Sequence, residues 1–250
     1  MKILILSDLH IENHYTLEYV LCYINDNINP EDYDTVVISG DIFESSYQKD
    51  YYKALHEMFN GKPVICCLGN HEFFYRDHNK VIEHYRELYN PEKYDVHYLD
   101  VVDSVTIDEV NFVGNFLGYD GSLGFKDQVM EDWAKFGWMD YTIKSFYNKG
   151  YLNFYNENRE KILNSIEENC SPILVMVTHT VPHADLNLHM SKESSLNAYS
   201  GVDNFLKDCD VDYSICGHTH LKVIGKTIED IDCVNVGSDY SNIQYYILDI

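Results

Sequence analysis

Basic residues are scarce in this sequence. Lysine and arginine together number 18, against 41 aspartates and glutamates, so the net charge at pH 7 is −23. Nucleic-acid binding depends on lysine and arginine displacing the counterions around the phosphate backbone, and anionic lipid surfaces attract basic segments in the same way. We therefore expect neither nucleic acid nor a membrane as a partner, and we assign most of the charge to solubility.

Long hydrophobic runs are also missing. No stretch approaches the roughly 18 apolar residues that a membrane helix needs. The N-terminal apolar run, residues 2–6, ends in Ser7 and Asp8 and is too short for a signal peptide. The seven cysteines form no CxxC pair and their number is odd, so we expect buried free thiols in a reducing compartment. These absences predict a cytoplasmic protein.

Short apolar runs are frequent instead, and several end in polar residues. They lie at residues 2–6, 35–39, 64–68, 173–177 and 213–216, and further strand patterns lie at 221–226, 232–236 and 244–249. Helical patterns lie at residues 17–28, with Thr16 as the cap, and at 47–60, 77–89, 154–169 and 202–208. Continuous apolar runs are typical of strands that helices cover on both faces. The sequence therefore predicts one layered α/β domain over residues 1–250.

The segment 114–153 has no clean period. It contains both tryptophans, Trp133 and Trp138, and many tyrosines, phenylalanines and glycines. Two interpretations stay open: an ordinary packed excursion whose aromatic side chains bury area, or a cap over a functional site.

The residues that follow the first five runs are of the types that ligate metals. They are Asp8 and His10, then Asp41, then Asn70 and His71, then His179, then His218 and His220. In open α/β sheets, sites form beyond the carboxyl ends of the strands, so residues this far apart in sequence can meet. The donors are nitrogen and oxygen without thiolates, which argues against structural zinc.

These residues form five blocks in a fixed order. The blocks are Asp8-x-His10, Gly40-Asp41, Gly69-Asn70-His71-Glu72, His179 and Gly217-His218-x-His220. The ordered set resembles the calcineurin-like metallophosphoesterase superfamily. The resemblance implies a four-layer α/β/β/α sandwich with two divalent metal ions at the strand ends. We expect Mn²⁺ first, with Fe, Zn, Co or Ni as alternatives, because Asp, Asn and His suit all of these metals.

The resemblance also implies a role for each residue. One metal would be held by Asp8, His10 and His220, the second by Asn70, His179 and His218, and Asp41 would bridge them. A metal-bridging hydroxide would attack phosphorus, and His71 would face the substrate as the general acid. Glu44 is a candidate to orient His71, with a solvated loop residue as the alternative. The other histidines, at 14, 56, 78, 84, 97, 183 and 189, match no block, and we predict ordinary surface or core roles for them.

The neutrality of Asn70 has an electrostatic consequence. Two divalent ions carry +4 and the two aspartates carry −2, so the site keeps a charge of about +2 that attracts a phosphate anion. An aspartate at position 70 would remove one further unit.

The wording of the blocks favours one branch of the superfamily. Ser-Asp-Leu-His at 7–10 and Gly-Asn-His-Glu at 69–72 resemble the phosphodiesterase-like bacterial branch, as do residues 138–141 (WMDY). Ser45 stands where Ser/Thr protein phosphatases carry a phosphate-binding arginine, which argues against that activity. We therefore predict a metal-dependent phosphoesterase, first of all a phosphodiesterase, acting on a small or medium substrate.

Three alternatives stay open: a phosphomonoesterase, a nuclease and a non-catalytic scaffold on the same fold. The nuclease would need a basic surface, and one candidate patch exists. It comprises Arg76, Lys80, Arg86 and Lys93. On a helical segment such a cluster is expected to be a solvated face. The scaffold is expected to have lost ligands, and none of the block residues is missing here.

Overall fold

The computed structural model describes residues 1–44, 50–124, 137–187 and 199–250. Its strands are β1 (Lys2–Leu6), β2 (Thr35–Ser39), β3 (Val64–Cys67), β4 (Val96–Tyr98), β5 (Ser104–Ile107), β6 (Val110–Asn115), β7 (Ile173–Thr178), β8 (Tyr213–Cys216), β9 (Val223–Ile228), β10 (Ile231–Asn235) and β11 (Tyr246–Asp249). Its α-helices are α1 (Leu17–Asn27), α2 (Tyr51–Met58), α3 (Asn70–Phe73), α4 (His78–Leu88), α5 (Leu99–Val102), α6 (Lys144–Lys149) and α7 (Tyr151–Glu167). Within these residues, none of the helices has the length and apolar character that crossing a membrane requires.

The strands form two sheets. The first has the order β11-β1-β2-β3-β4, and the second has the order β5-β6-β7-β8-β10-β9. Strands β1 to β4 are mutually parallel, and so are β6, β7, β8 and β10. The antiparallel strands β11, β5 and β9 lie at sheet edges. All parallel strands of a sheet therefore present their carboxyl ends at one edge.

Alternation along each strand sorts the apolar side chains into layers. In β1, Ile3 and Ile5 pack against Phe112 and the other residues of the second sheet, forming the core between the sheets. Leu4 and Leu6 point the opposite way, into a cluster that contains residues of α1, α2 and α4. The outer face of the second sheet packs on α7 in a third cluster. This arrangement confirms the predicted four-layer α/β/β/α sandwich.

The predicted start of α1 agrees with its cap. The Thr16 side chain accepts a hydrogen bond from the backbone N–H of Tyr19 (3.2 Å), as predicted for α1. Helix α2 begins at Tyr51, capped by Asp50; residues 47–49 of the predicted helix lie outside the described residues. A hydroxyl or carboxylate at these positions satisfies a backbone donor that the helix itself leaves unpaired.

The predicted helix at 202–208 is wrong: only Leu206–Asp208 is helical, as a 3₁₀ turn. The backbone N–H groups of Val202 and Phe205 bond to the carbonyls of Val181 (3.0 Å) and Pro182 (2.8 Å), so they are not free to form helical bonds. A neighbouring segment thus overrides the local pattern.

Strands β4, β5 and β6 have no counterpart among the predicted elements. The buried strand β6 contains Asn111 and Gly114, which break its apolar run. Asn111 donates to the Thr106 hydroxyl (2.7 Å), and a Cβ at Gly114 would lie 1.8 Å from the Val177 carbonyl oxygen. Both residues are explained by contacts with neighbouring strands, and the local sequence does not reveal those contacts.

The segment 114–153 contains the end of β6, a 3₁₀ helix at Met139–Thr142, α6 and the start of α7. Residues 125–136, including Trp133, lie outside the described residues.

The cysteines follow the prediction only in part. All seven are free thiols, and Cys66, Cys67, Cys216 and Cys233 are buried. Cys22 on α1 and Cys170 after α7 are exposed, so the expectation of burial is wrong for these two.

Candidate metal centre

The five predicted blocks meet at one end of the sandwich. Strands β1, β2 and β3 are neighbours in the first sheet, and β7 and β8 are neighbours in the second. The loops that follow these strands carry all seven predicted ligands and His71. Their donor atoms form overlapping groups within 4.8 Å of one another, which include Asp8–His10–His220 and Asp41–His179–His218.

The backbone at these loops is unusual. Five of the predicted ligands have positive φ: Asp8 (54°), His10 (44°), Asp41 (51°), His218 (69°) and His220 (55°). A non-glycine residue in the left-handed region costs free energy, roughly 1–3 kcal/mol in sparsely populated conformations, and such residues cluster at functional sites. The chain thus turns sharply after β1, β2 and β8, where these ligands lie.

Two glycines of the blocks make room for the ligands. A Cβ at Gly69 would lie 2.1 Å from Oδ1 of Asp41, and one at Gly40 would lie 2.3 Å from Nδ1 of His179. Gly40 also has a φ of +84°. These positions therefore exclude any larger side chain while the two ligands keep their places.

Asn70, His179 and His218 bring three donor atoms together. Oδ1 of Asn70 lies 2.9 Å from Nε2 of His179 and 3.2 Å from Nδ1 of His218. The two ring nitrogens are 3.2 Å apart. Oδ2 of Asp41 lies 3.3 Å from Nε2 of His179. Oxygen and nitrogen lone pairs crowded in this way repel one another unless a cation or a proton lies between them.

The other ring nitrogens are held by backbone carbonyls. Nδ1 of His179 donates to Ser39 O (2.8 Å), and Nε2 of His218 donates to Tyr199 O (2.6 Å). A carbonyl only accepts, so it fixes the tautomer and leaves the opposite nitrogen of each ring with a lone pair for a metal. The protein therefore presets both imidazoles as ligands.

Asp8, His10 and His220 form the other donor cluster. His10 is fully buried, and neither of its ring nitrogens has a hydrogen-bond partner among the described residues. Nδ1 of His220 is likewise without a described hydrogen-bond partner. A buried polar atom left unpaired costs about 1–3 kcal/mol. A cation at this cluster would remove that cost, so the donor set fits a bound divalent metal.

His71 is held by Glu44. Nδ1 of His71 lies 2.7 Å from Oε1 of Glu44, and Asn13 donates to the same oxygen (2.9 Å). Donor atoms of His10, Glu44 and His71 also lie within 4.8 Å of one another. A distance of 2.7 Å is that of a charge-assisted hydrogen bond, so we assign Glu44 and His71 as a hydrogen-bonded pair rather than as two ligands.

The charges in the site shift its pKa values. Burial raises the pKa of Glu44, but the nearby His10 imidazole (3.8 Å) and the hydrogen bond from His71 outweigh burial and hold it at about 2. Burial lowers the pKa of His71, but the carboxylates of Asp41 and Glu44 outweigh burial and raise it to about 9. His71 therefore carries a proton at neutral pH.

The pKa values of the two ligand imidazoles, His179 and His218, shift in opposite directions. Burial lowers the pKa of His179, but Asp41 outweighs burial and raises it to about 10. Burial lowers the pKa of His218 to about 3, and the charge on His179 adds to this effect. A proton on His179 occupies the place between Asn70 and Asp41 that a cation would take, so protonation and metal binding compete there.

Asp140 is a site residue that sequence reasoning missed. Its carboxylate is fully buried and accepts from Nδ2 of Asn70 (2.7 Å), Nε1 of Trp138 (2.6 Å) and the hydroxyl of Tyr119 (3.1 Å). The contact orients the Asn70 amide so that its oxygen faces the histidines. The Asp140 carboxyl group therefore lies directly against the Asn70 amide, and burial raises the pKa of Asp140. The resemblance of residues 138–141 to the bacterial branch was the one available signal.

Glu72, the last residue of its block, connects two site loops. Oε1 accepts from the backbone N–H of Ile42 (2.8 Å) and Phe43 (2.9 Å), and Oε2 accepts from Gly69 N–H (2.8 Å). Its side chain thus locks the loop after β2 to the loop after β3 and faces away from the metal donors.

A cleft of about 580 Å³ opens onto the donor atoms. Its walls are rich in apolar and aromatic side chains, namely Phe74, Trp138, Met139, Tyr199, Leu221 and Tyr240. Among the described lining residues there is no lysine or arginine. His14, an exposed residue, also lines the cleft, with its ring centroid 4.0 Å from that of Tyr240.

A sandwich of two sheets with Asp, Asn and His donors at paired strand ends defines a metal-binding phosphoesterase fold. The chain belongs to the calcineurin-like phosphoesterase family, whose sequence profile matches residues 1–222. No curated protein sequence matches the chain.

Solved structures share the fold at low sequence identity. The phosphopantetheinyl hydrolase of Mycobacterium tuberculosis is 14% identical, with a TM-score of 0.67 over 98% of this chain and 95% of that one. A dimetal phosphatase from Danio rerio is 13% identical, with a TM-score of 0.52 over 99% and 91%. GAP50, the anchor in the inner membrane complex of Plasmodium, is 14% identical, with a TM-score of 0.51 over 95% and 71%. At these identities, the likeness concerns the fold alone.

Proposed function

We propose that the chain is a dinuclear metal-dependent phosphoesterase that prefers phosphodiesters of small or medium size. The observation that carries this proposal is the convergence of two donor clusters beside the hydrogen-bonded Glu44–His71 pair. The unpaired nitrogens of buried His10 and the preset tautomers of His179 and His218 support metal binding in particular.

In this proposal each donor cluster holds one divalent ion. Asp8, His10 and His220 would hold the first, Asn70, His179 and His218 the second, and Asp41 would contact both; Mn²⁺ is our first choice of metal. When bound, such ions supply Lewis acidity toward phosphoryl oxygens and lower the pKa of a coordinated water.

His71 is proposed as the general acid. Its Nδ1 is hydrogen-bonded to Glu44, so Nε2 is the nitrogen that can donate a proton to the substrate. Nε2 lies 3.8 Å from Oδ2 of Asp41. At neutral pH the ring is protonated and can transfer the Nε2 proton to the leaving oxygen. Proton transfer by a positioned side chain typically contributes about 10²–10⁴-fold to the rate.

The lining of the cleft supports the preference for diesters. A monoester dianion carries one more negative charge than a diester, and no described lysine or arginine in the cleft is placed to neutralise it. Apolar and aromatic walls suit an ester group on each side of the phosphorus.

The other functions remain outcomes of the same experiment. Two aryl phosphate substrates, a bis-aryl diester and the matching monoester, are compared with Mn²⁺ and after chelation. We expect Mn²⁺-dependent turnover that favours the diester. Preference for the monoester would make the protein a phosphomonoesterase. Inactivity on both substrates with Mn²⁺, Fe²⁺, Co²⁺, Ni²⁺ and Zn²⁺ would refute the proposal and favour the scaffold, and cleavage of single-stranded nucleic acid at physiological salt would favour the nuclease.

A further inference from the structure

A second concave site lies beside the cleft. It has a volume of about 470 Å³ and is lined by Tyr75, Arg76, Asp77, Lys80, Val81, His84 and Lys144; we call it the basic pocket. Its three permanent cations come from three places in the chain: the turn after α3, the first turn of α4 and the first residue of α6. Two members of the basic patch noted in the sequence, Arg76 and Lys80, thus belong to a concave site rather than to a flat helix face.

The charge in this pocket is unusual for the molecule. Lysine and arginine number only 18 in a chain with 41 acidic residues, and three of the 18 line one pocket. The lysine and arginine ion pairs that the described residues form lie elsewhere, at Lys53–Glu57, Arg159–Asp208 and Lys226–Asp185. None of the three pocket cations forms an ion pair with a described residue, and like charges repel one another, so their placement favours an anionic ligand.

The acidic residue of the pocket is committed elsewhere. Oδ1 of Asp77 accepts from the backbone N–H groups of Asn79 (3.1 Å) and Lys80 (3.4 Å), which caps α4. The helix N-terminus is therefore already occupied by a carboxylate. Any ligand would be held by the side chains of Arg76, Lys80 and Lys144 instead.

The basic pocket and the catalytic cleft share a wall. The Tyr75 hydroxyl contacts Sδ of Met139 (3.9 Å), and Tyr75 N–H donates to the Thr142 hydroxyl (3.3 Å). Met139 lines the cleft, whereas Tyr75 lines the basic pocket. On the far side, Lys144 N–H donates to Arg76 O (3.0 Å), which joins the two segments that carry the cations.

We propose that the basic pocket binds a phosphate or carboxylate group. The ligand is either a second anionic group of a molecule whose phosphoester lies in the adjoining cleft or a separate anion. A guanidinium offers paired donors that match the oxygens of either group, and the two lysines supply further charge.

The binding test uses the full chain with inorganic phosphate as the probe. With chelator present, no metal ion is available in the cleft to bind phosphate, and the amide signals of the pocket residues report on the basic pocket itself. We expect saturable shifts of the backbone amide NMR signals of Arg76, Lys80 and Lys144. The double variant Lys80→Ala/Lys144→Ala is expected to bind roughly tenfold more weakly or worse.

The matched control is Lys53→Ala, because Lys53 is an exposed helical lysine that pairs with Glu57 and does not line the basic pocket. It should bind phosphate as the wild type does. Amide shifts that do not saturate, or that persist unchanged in the double variant, would overturn the proposal. This test is independent of any hydrolytic activity.

A kinetic arm distinguishes the two sources of the anion and rests on the proposed function. Two aryl diesters with the same leaving group are compared, one of which carries a carboxylate on the other alcohol. A rise in KM confined to the carboxylated diester in the double variant assigns the pocket to the substrate. If the KM of each diester is the same in the wild type and in the double variant, while phosphate binding is lost in the double variant, the pocket is assigned to a separate anion.

Discussion

At the residue scale, the candidate metal ligands are held by partners that bind no metal themselves. Carbonyls of Ser39 and Tyr199 fix two imidazoles, and the Asp140 carboxylate fixes the Asn70 amide. Such outer contacts decide which atom of an ambidentate side chain faces the ion. Asn70 needs this most, because its amide presents either an oxygen or a nitrogen.

The variant Asp140→Asn tests this orientation. The amide introduced by the substitution presents either one acceptor or one donor toward Nδ2 of Asn70, and it lacks the charge that favours a single arrangement. We expect Mn²⁺ affinity to fall about 10–100-fold, measured by titration calorimetry, with folding retained by circular dichroism. Asp232→Asn serves as the control, because Asp232 is exposed and accepts from the Thr227 hydroxyl. Unchanged Mn²⁺ affinity in Asp140→Asn would contradict this role.

The contact between Glu44 and His71 leads to a prediction for the pKa of the His71 imidazole. In the presence of chelator, the His71 imidazole should be protonated below about pH 9 and neutral above it, because Asp41 and Glu44 outweigh the effect of burial on its pKa. The stabilisation from this pair is complete below the unfolded pKa of 6.5 and is lost as pH rises through 9. Glu44→Gln removes one of the two charges, so the His71 pKa should fall toward 6.5.

The measurement is the NMR titration of the His71 ring proton in the wild type and in Glu44→Gln. Glu57→Gln is the matched control, because Glu57 is exposed and paired with Lys53 on the surface. A His71 pKa that is the same in all three proteins would show that Glu44 does not govern it.

At the element scale, the strand ends place the site. Most of the strands and helices were predictable, because short apolar runs and helical spacing are local signals. Strand β6 was not predictable, because Asn111 bonds to Thr106 of β5 and Gly114 leaves room for Val177 of β7, and both residues interrupt the apolar run. The helix predicted at 202–208 failed for the same reason, since its backbone donors bond to residues 181 and 182.

The close packing of the loop after β3 allows the effect of one added methyl group at Gly69 to be predicted. In Gly69→Ala the new Cβ would lie 2.1 Å from Oδ1 of Asp41, so the loop or the aspartate must move. We expect a loss of about 1–3 kcal/mol in the free energy of unfolding and weaker Mn²⁺ binding, measured by denaturant unfolding and metal titration.

Gly225→Ala separates crowding from backbone strain. Gly225 has a φ of +70°, and a Cβ added there would meet no atom within 4 Å, so only the left-handed backbone opposes the change. It should cost about 1–2 kcal/mol and leave Mn²⁺ binding intact. Equal Mn²⁺ affinity in Gly69→Ala and the wild type would refute the crowding at the site.

At the scale of the whole molecule, Asp100 links the two sheets near the site. Its carboxylate is buried and accepts from Leu68 N–H (2.7 Å) after β3 and from Phe116 N–H (3.0 Å) after β6. Burial raises the pKa of Asp100 to about 6, and the two backbone hydrogen bonds oppose this shift. One side chain thus ties the ends of strands from both sheets.

Asp100→Ala is expected to destabilise the fold by roughly 2–5 kcal/mol, because two buried N–H groups lose their acceptor. The raised pKa adds a pH dependence: the wild type loses stability relative to the variant as pH rises from 3.8 through 6. The difference in the free energy of unfolding between the two proteins should therefore narrow from about pH 4 to about pH 6 in urea unfolding. Asp26→Ala, at an exposed position of α1, is the control. A difference in the free energy of unfolding between the wild type and Asp100→Ala that is small, or that widens as pH rises, would contradict this role of Asp100.

The site was predictable where its residues lie in the loops that follow strands. Asp8, Asp41, Asn70, His179 and His218 stand in such positions, and the fold brings them together. Asp140 lies in the 3₁₀ helix at Met139–Thr142, and Tyr240 lies in a turn. The contact of Asp140 with Asn70, and those of the Tyr240 ring with His10 and His220, depend on how segments distant in sequence pack. No spacing in the sequence connects residue 140 with residue 70.

The central claim is that the two donor clusters hold two divalent ions. The most direct measurement is the number of Mn²⁺ ions bound per chain, by equilibrium dialysis and elemental analysis of the full-length protein. The account predicts two ions per chain in the wild type. A chain that binds neither Mn²⁺ nor any of the other candidate metals, or that saturates with a single ion, would contradict it.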